Sequence, residues 1–367
     1  MKKSDARPGS ARRTVTFDAG RNEVALIDQR LLPHQLEILR LPNYRKTAQA
    51  ITNMTVRGAG AIGATAAFGL AQGAMVFRGR QVPAFVRHVK AVFAVLANAR
   101  LTAVDPVNAM RFVQGRMAAG TVQERQAAAV AAAQQFADEN VAECEAIGRH
   151  GSGLIRPGMR ILTHCNAGAL AFVDVGTATA PLYAAHAAGR RFQVFCTETR
   201  PRGQGAALTA WELAQRGIAH HIIADSAVAH LMQCGEIDCV ITGSDRVLAR
   251  TGEAANKIGT YGLAVLARRH RIPFYIAIPR STIDWHMRSG AAIPIEERDE
   301  AEVLGAWGVD ARGVRTHVRT ANPGSRARNP AFDVTPAALI TAFITPAGLL
   351  GPRQLLRHRK ALELPFH

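Results

Sequence analysis

From Pro157-Gly158 onward, short β-branched runs alternate with glycine or polar turns and helical stretches, a texture that suits a parallel sheet covered on both faces. The runs are RILTH (160–164), FQVFCT (192–197), HHIIAD (220–225), DCVITG (238–243) and PFYIAIP (273–279). Parallel neighbours joined through helices require right-handed crossovers, so this half of the chain is expected to be Rossmann-like. The texture before it is different. EVALIDQRLLP reads as a short strand and turn, and from about residue 34 to 150 alanine-rich helical periodicity takes over, ended by Gly151 and Gly153. The expected fold class is therefore α/β. An N-terminal mainly helical domain (21–152) is followed by a Rossmann-like domain with a parallel sheet (153–367), and residues 1–20 form a flexible basic arm.

Composition narrows the functions open to such a chain. With 367 residues, 48% hydrophobic and 20% charged, two ordinary cores can be buried. Lys+Arg 45 against Asp+Glu 28 leaves +17, but six lysines and 39 arginines are dispersed along the chain rather than gathered in a stripe. Nucleic acid is thus a poor candidate partner, the more so with three tryptophans, four tyrosines and no recognition motif. Apolar stretches are too short for a membrane span, and the basic start lacks the apolar run of a secretory signal, so a cytoplasmic location is expected. The five cysteines (144, 165, 196, 234, 239) form no CxxC pair and are expected to be reduced. His230, Cys234 and Cys239 match no standard zinc spacing, so no metal is expected.

In open parallel sheets ligands lie beyond the carboxyl ends of the strands, so the residues following each run are the candidate site. Cys165 follows the first run in HCNAG, where the start of a helical segment would lower its pKa and make the thiolate a base or nucleophile. The other four cysteines are expected in the core. Asp245 follows the run DCVITG, and partial desolvation there would raise its pKa toward that of a general acid. Arg57 and the glycine-rich stretch 57–69 lead into a helix and suit an anion, although the pattern is not a dinucleotide fingerprint. Lys257, expected beside Asn256 at a helix start, is a second candidate phosphate contact.

The segments LIDQRLLP, RGAGAIG, ARLTAV, THCNAGALA, ETRPRGQGAALTAWEL, GSDRV, NKIGTY, PFYIAIPRSTID, IPIEERDEAEV and NPAFDVTPAALIT run from about residue 26 to 348. In that order they resemble the methylthioribose-1-phosphate isomerases, relatives of the regulatory subunits of the eukaryotic translation-initiation guanine-exchange factor. The resemblance implies a homodimer with its active site between the two domains and a small sugar phosphate as substrate. It also implies Cys165 as the catalytic cysteine, Asp245 as the proton donor, and Arg57, Gly58, Ala59, Arg100, Gln204, Asn256 and Lys257 as substrate-binding positions. Three departures stand out: Gly60 replaces the proline of RGAPAIG, Ser226 stands where asparagine follows aspartate, and the link between Asp245 and Asn256 is slightly long.

A phosphate on the anomeric carbon blocks spontaneous ring opening, so an enzyme of this kind must open the ring itself. Acid-base chemistry by Asp245 and Cys165 through a phosphoenol needs no metal or organic cofactor. A hydride shift from C2 to C1 stays open as a second route. Three other readings also stay open: isomerisation of ribose 1,5-bisphosphate, isomerisation of 5-deoxyribose 1-phosphate, and a non-catalytic subunit that senses a sugar phosphate or nucleotide.

Overall fold

The computed structural model describes residues 13–99 and 105–364. It opens with three antiparallel strands, β1 (Val15–Asp18), β2 (Glu23–Ile27) and β3 (Ile38–Leu41). Val15–Asp18, expected within the basic arm, form a strand instead. Val15 pairs with Leu26, and alternation along VTFD buries Val15 and turns Phe17 onto Phe68, leaving Thr16 and Asp18 outside. Residues 1–12 of the arm lie outside the described residues.

Helices α1 (Tyr44–Thr52), α2 (Ala59–Met75), α3 (Val82–Ala97), α4 (Asp105–Arg116) and α5 (Val122–Ser152) follow. Every residue of α2 from Gly60 to Ala74 is buried, which fits a helix that is apolar all round and serves as the core of its layer. Its small residues set the packing distance: a Cβ on Gly73 would fall 2.4 Å from Val92 Cγ1, so only glycine lets α3 lie this close. The long α5 begins with a capping box, Thr121 and Glu124 exchanging hydrogen bonds, and reaches across to the sheet.

Beyond it come β4 (Arg160–Thr163), α6 (Ala180–Ala187), β5 (Gln193–Thr197), α7 (Ala210–Gln215), β6 (His220–Ile223), α8 (Val228–Gln233) and β7 (Cys239–Thr242). Next are β8 (Arg246–Leu248), β9 (Ala254–Lys257), α9 (Thr260–His270), β10 (Phe274–Ala277), β11 (Ile283–Asp284) and α10 (Ala301–Leu304). The remaining elements are β12 (Gly305–Val309), β13 (Arg315–Arg319), β14 (Phe332–Thr335), β15 (Ala342–Thr345), β16 (Gly348–Leu350) and α11 (Arg359–Leu362). The large sheet has the order β16-β15-β10-β7-β4-β5-β6, with β16 antiparallel at its edge. Counted along the chain, its six parallel strands lie 3-2-1-4-5-6, the doubly wound order.

All five runs picked from the sequence are strands of this sheet. A second sheet, β11-β8-β9-β14, corrects one expectation. Asn256 and Lys257 do not open a helix: they end β9, opposite Asp333 and Phe332, and α9 starts only after Gly259 turns the chain at φ +105°. The segment AANK has no apolar alternation because both faces are covered, so periodicity could not reveal it.

The helical layer and the sheet are joined by a partly buried ion pair. Glu143 on α5 accepts hydrogen bonds from Arg280 N (2.9 Å) and Nε (2.6 Å), just beyond β10. Substituting Glu143→Ala removes both hydrogen bonds and leaves the guanidinium to its longer contact with Glu139 (3.6 Å), and thermal unfolding should show a loss of about 2 kcal/mol. A Tm unchanged from the parent would refute this role for the pair.

Candidate active site

Strands β4 and β7 are neighbours whose following chains depart to opposite sides, which opens a crevice at their carboxyl ends. Cys165 lies just past β4, and Gly243, Ser244 and Asp245 lie just past β7. The cavity there is lined by Cys165, Asp245, Arg57, Gly58, Ala59, Gln204, Asn256 and Lys257 together. Arg100, the remaining site position implied by the resemblance, lies outside the described residues.

Cys165 adopts φ +61°, a left-handed conformation that a residue with a Cβ rarely takes without being held there. Two threonines hold it. Its N–H donates to Thr199 Oγ1 (2.9 Å), and its carbonyl accepts from Thr209 Oγ1 (2.6 Å). Behind them, His164 Nε2 lies 2.9 Å from the carbonyl of Ile258, so that nitrogen carries the proton and Nδ1 accepts from Thr197 Oγ1 at 2.7 Å. Burial lowers the His164 pKa and keeps the ring neutral. Thr199 and the adjacent turn are anchored in turn by Asp225, which accepts from Thr199 N (2.8 Å) and Arg200 N (2.7 Å).

The residue after Cys165 ties the thiol to the anion end of the cavity. Asn166 accepts from Arg57 Nη1 at Oδ1 (2.7 Å) and from Nη2 at its carbonyl (2.8 Å), which aims the guanidinium. Its amide donates to the buried Glu212 (2.8 Å), which also accepts from Ala169 N, Leu170 N and Tyr183 Oη. Beside Arg57, Gly58 caps α2 at φ +92°, and a Cβ there would lie 2.4 Å from Ala171 Cα. The first turn of α2 contains no acidic residue, so its free amides and Arg57 present positive potential to the cavity. Lys257 adds a buried ammonium whose Nζ donates to the carbonyl of Ala331 (3.0 Å).

The electrostatics differ from expectation at both candidate catalytic groups. No α-helix begins at Cys165; a single helical turn, Ala169–Ala171, follows it. Burial therefore raises its pKa above the usual thiol value, while Arg57 and Lys257 pull it back in part. Burial also lowers the pKa of Lys257. Asp245 is exposed in this structure rather than desolvated, because it sits at the lip of the crevice; its backbone N–H donates to the carbonyl of Ala255. Gly60 is buried in the first turn of α2, where a Cβ would fall 2.4 Å from Phe172 Cδ1. Ser226 is exposed, and its neighbour Asp225 does the anchoring. Cys144, Cys196 and Cys239 are buried, but Cys234 is exposed, contrary to expectation.

Sequence reasoning missed Glu212, the threonines at 197, 199 and 209, and Arg298. Arg298 and Arg202 both line the cavity, and both pair with Glu302; burial opposes the ionised form, but their hydrogen bonds hold Glu302 down at about 2. The run ETRPRGQGAALTAWEL contained most of these residues, yet nothing in its pattern set a structural carboxylate apart from an ordinary helical glutamate.

Sheet order and cavity together define a Rossmann-like protein with a ligand crevice at its topological switch point. Residues 55–352 match the Initiation factor 2 subunit family, and the chain belongs to that family. It is 48% identical over 351 residues to the methylthioribose-1-phosphate isomerase of Chloroflexus aurantiacus (strain J-10-fl), covering 95% of this chain and 98% of the relative. The corresponding protein of Methylorubrum populi is 47% identical over 359 residues, with 95% and 94% covered. Among solved structures, 5-methylthioribose 1-phosphate isomerase from Pyrococcus horikoshii OT3 superposes with a TM-score of 0.84 at 38% identity, over 98% of this chain and 99% of that one. The translation initiation factor eIF-2B delta subunit of A. fulgidus does so with 0.80 at 36%, over 95% and 99%.

Two outcomes follow from the geometry. Glu212→Ala should uncouple the 166–170 loop, lowering phosphate affinity at least about tenfold in titration calorimetry while far-ultraviolet dichroism stays native; unchanged affinity would refute the role. Because burial keeps the Cys165 thiol protonated, its alkylation by iodoacetamide, mapped by mass spectrometry, should rise about tenfold per pH unit from 7 to 9 without a plateau. A plateau below pH 8 would mean that the cations win over burial.

Proposed function

We propose that the chain is an aldose-ketose isomerase that converts 5-methylthioribose 1-phosphate to 5-methylthioribulose 1-phosphate, a methionine-salvage step. The observation that carries this reading is a thiol and a carboxyl group, Cys165 and Asp245, sharing one cavity with the cationic pair Arg57 and Lys257. Curated relatives spanning nearly the whole chain bear the name of that enzyme. The A. fulgidus relative described as an initiation factor keeps a non-catalytic reading in view, but a pure binding module has no use for the thiol and carboxyl together.

The substrate phosphate is bound by the α2 amides, Arg57 and Lys257. Cys165, as thiolate, removes the proton from C2; the C2–H electrons form the C1=C2 bond as the bond from C1 to the ring oxygen breaks. Asp245 protonates that oxygen, and its position at the lip lets it recover a proton from solvent. The Cys165 thiol then protonates C1 while the C2 hydroxyl releases its proton to the solvent at the lip and becomes the ketone, which returns the proton that Asp245 drew. Electron pairs move only within the substrate and protons only between it, the two side chains and solvent, so no redox cofactor is required.

The wall composition favours a methylthio group over a second phosphate. Met54, Ile62, Phe172 and Ile293 line the cavity, and the arginines nearby, Arg202 and Arg298, are already paired with two carboxylates, Glu302 and Glu296. The working form we propose is a cytoplasmic homodimer, as the resemblance implies.

Turnover assays with 5-methylthioribose 1-phosphate, 5-deoxyribose 1-phosphate and ribose 1,5-bisphosphate should rank the first highest and the last lowest. Cys165→Ser and Asp245→Asn should each lower kcat by a factor on the order of 10² to 10⁴ with the fold retained. Near-parental activity in either variant would remove the mechanism, and absence of turnover in the parent would remove the function.

A further inference from the structure

Asp105 is the first residue of α4, is 2% exposed, and still forms part of the cavity wall. Its Oδ1 is buried and finds no hydrogen-bond partner among the described residues. The Ser281 hydroxyl is near enough to lower its pKa yet is itself without a hydrogen-bond partner. A buried acceptor left open is unfavourable in the empty protein and is satisfied when a ligand supplies a donor.

The surroundings identify the donor. Besides Ser281, in the turn after β10, the groups that bear on Asp105 are Asp245 from the β7 end of the crevice and Glu143 from α5, the latter paired with Arg280. Two neighbouring carboxyl groups disfavour an anion at this spot. Burial, with these neighbours, pushes the Asp105 carboxyl up to about 7, so a neutral hydroxyl suits it in either protonation state. The cations of the cavity, Arg57 and Lys257, answer the phosphate; Asp105 joins Gln204, whose buried Oε1 is likewise without a partner among the described residues, as an acceptor suited to the sugar.

We infer that Asp105 Oδ1 accepts a hydrogen bond from a ribose hydroxyl and is a specificity contact for the sugar rather than for its phosphate. The identity of that sugar rests on the isomerase reading above.

Titration calorimetry on the full-length parent, Asp105→Asn and Asp105→Ala, with 5-methylthioribose 1-phosphate and inorganic phosphate as probes, tests the contact. Asp105→Ala should weaken the sugar phosphate about tenfold while leaving inorganic phosphate within about twofold; Asp105→Asn, which keeps an acceptor oxygen, should stay within about threefold of the parent for both. If Asp105→Ala does not fold, Asp105→Ser, whose oxygen falls one bond short, carries the same expectation. Unchanged sugar-phosphate affinity, or equal weakening of both probes, overturns the inference, as does a parent that binds the sugar phosphate no better than phosphate. A parent that binds the sugar phosphate selectively but does not turn it over would instead sink the isomerase reading and leave the hydroxyl contact standing.

Discussion

A carboxylate inside a protein is unstable unless enough donors surround it, and Glu212 has four: the Asn166 amide, the backbone of Ala169 and Leu170, and the Tyr183 hydroxyl. Burial raises its pKa and those hydrogen bonds lower it. The same bonds fix the loop after β4. Through Asn166 they also fix Arg57, which comes from the helical layer, so the thiol and the cationic end of the cavity share one anchor. Gly168 belongs to this arrangement, since a Cβ there would lie 2.1 Å from Glu212 Oε2.

The cavity balances opposing tendencies. In the proposed mechanism a thiol that must give up a proton sits where water is scarce, and the two cations that ease its ionisation are also the proposed phosphate ligands. Binding therefore withdraws part of that help, and the polar network around the Cys165 backbone secures position rather than reactivity. The left-handed φ of Cys165 is maintained by bonds to Thr199, just past the carboxyl end of β5, and to Thr209, on the π-helical turn Gly205–Thr209.

The parallel sheet was legible because each buried strand is a β-branched run bounded by turn residues, a signal that survives without tertiary information. Cys165 and Asp245 were legible because strand ends in such sheets are where ligands go. What was not legible depends on contacts between distant residues. Lys257 looked like a helix start because glycine and threonine follow it closely, and only pairing with Phe332 makes it a strand residue. The charge state of Cys165 was misread because local order suggested a helix dipole, whereas the surrounding walls come from elsewhere in the chain. Glu212 and Asp105 carried no local mark at all, since a buried acid and a solvated one look alike in sequence.

The cavity wall runs from Met54 to Phe332, with contributions from the helical layer, both sheets and the 293–298 loop between. Such a site cannot be built in stages. During synthesis the thiol and Arg57 emerge from the ribosome long before the strand that seats Lys257 can be completed by its partner, β14, so a nascent or truncated chain carries the reactive groups without the enclosure. Selection on the far C-terminal third is thus selection on the chemistry, even where no reacting residue lies.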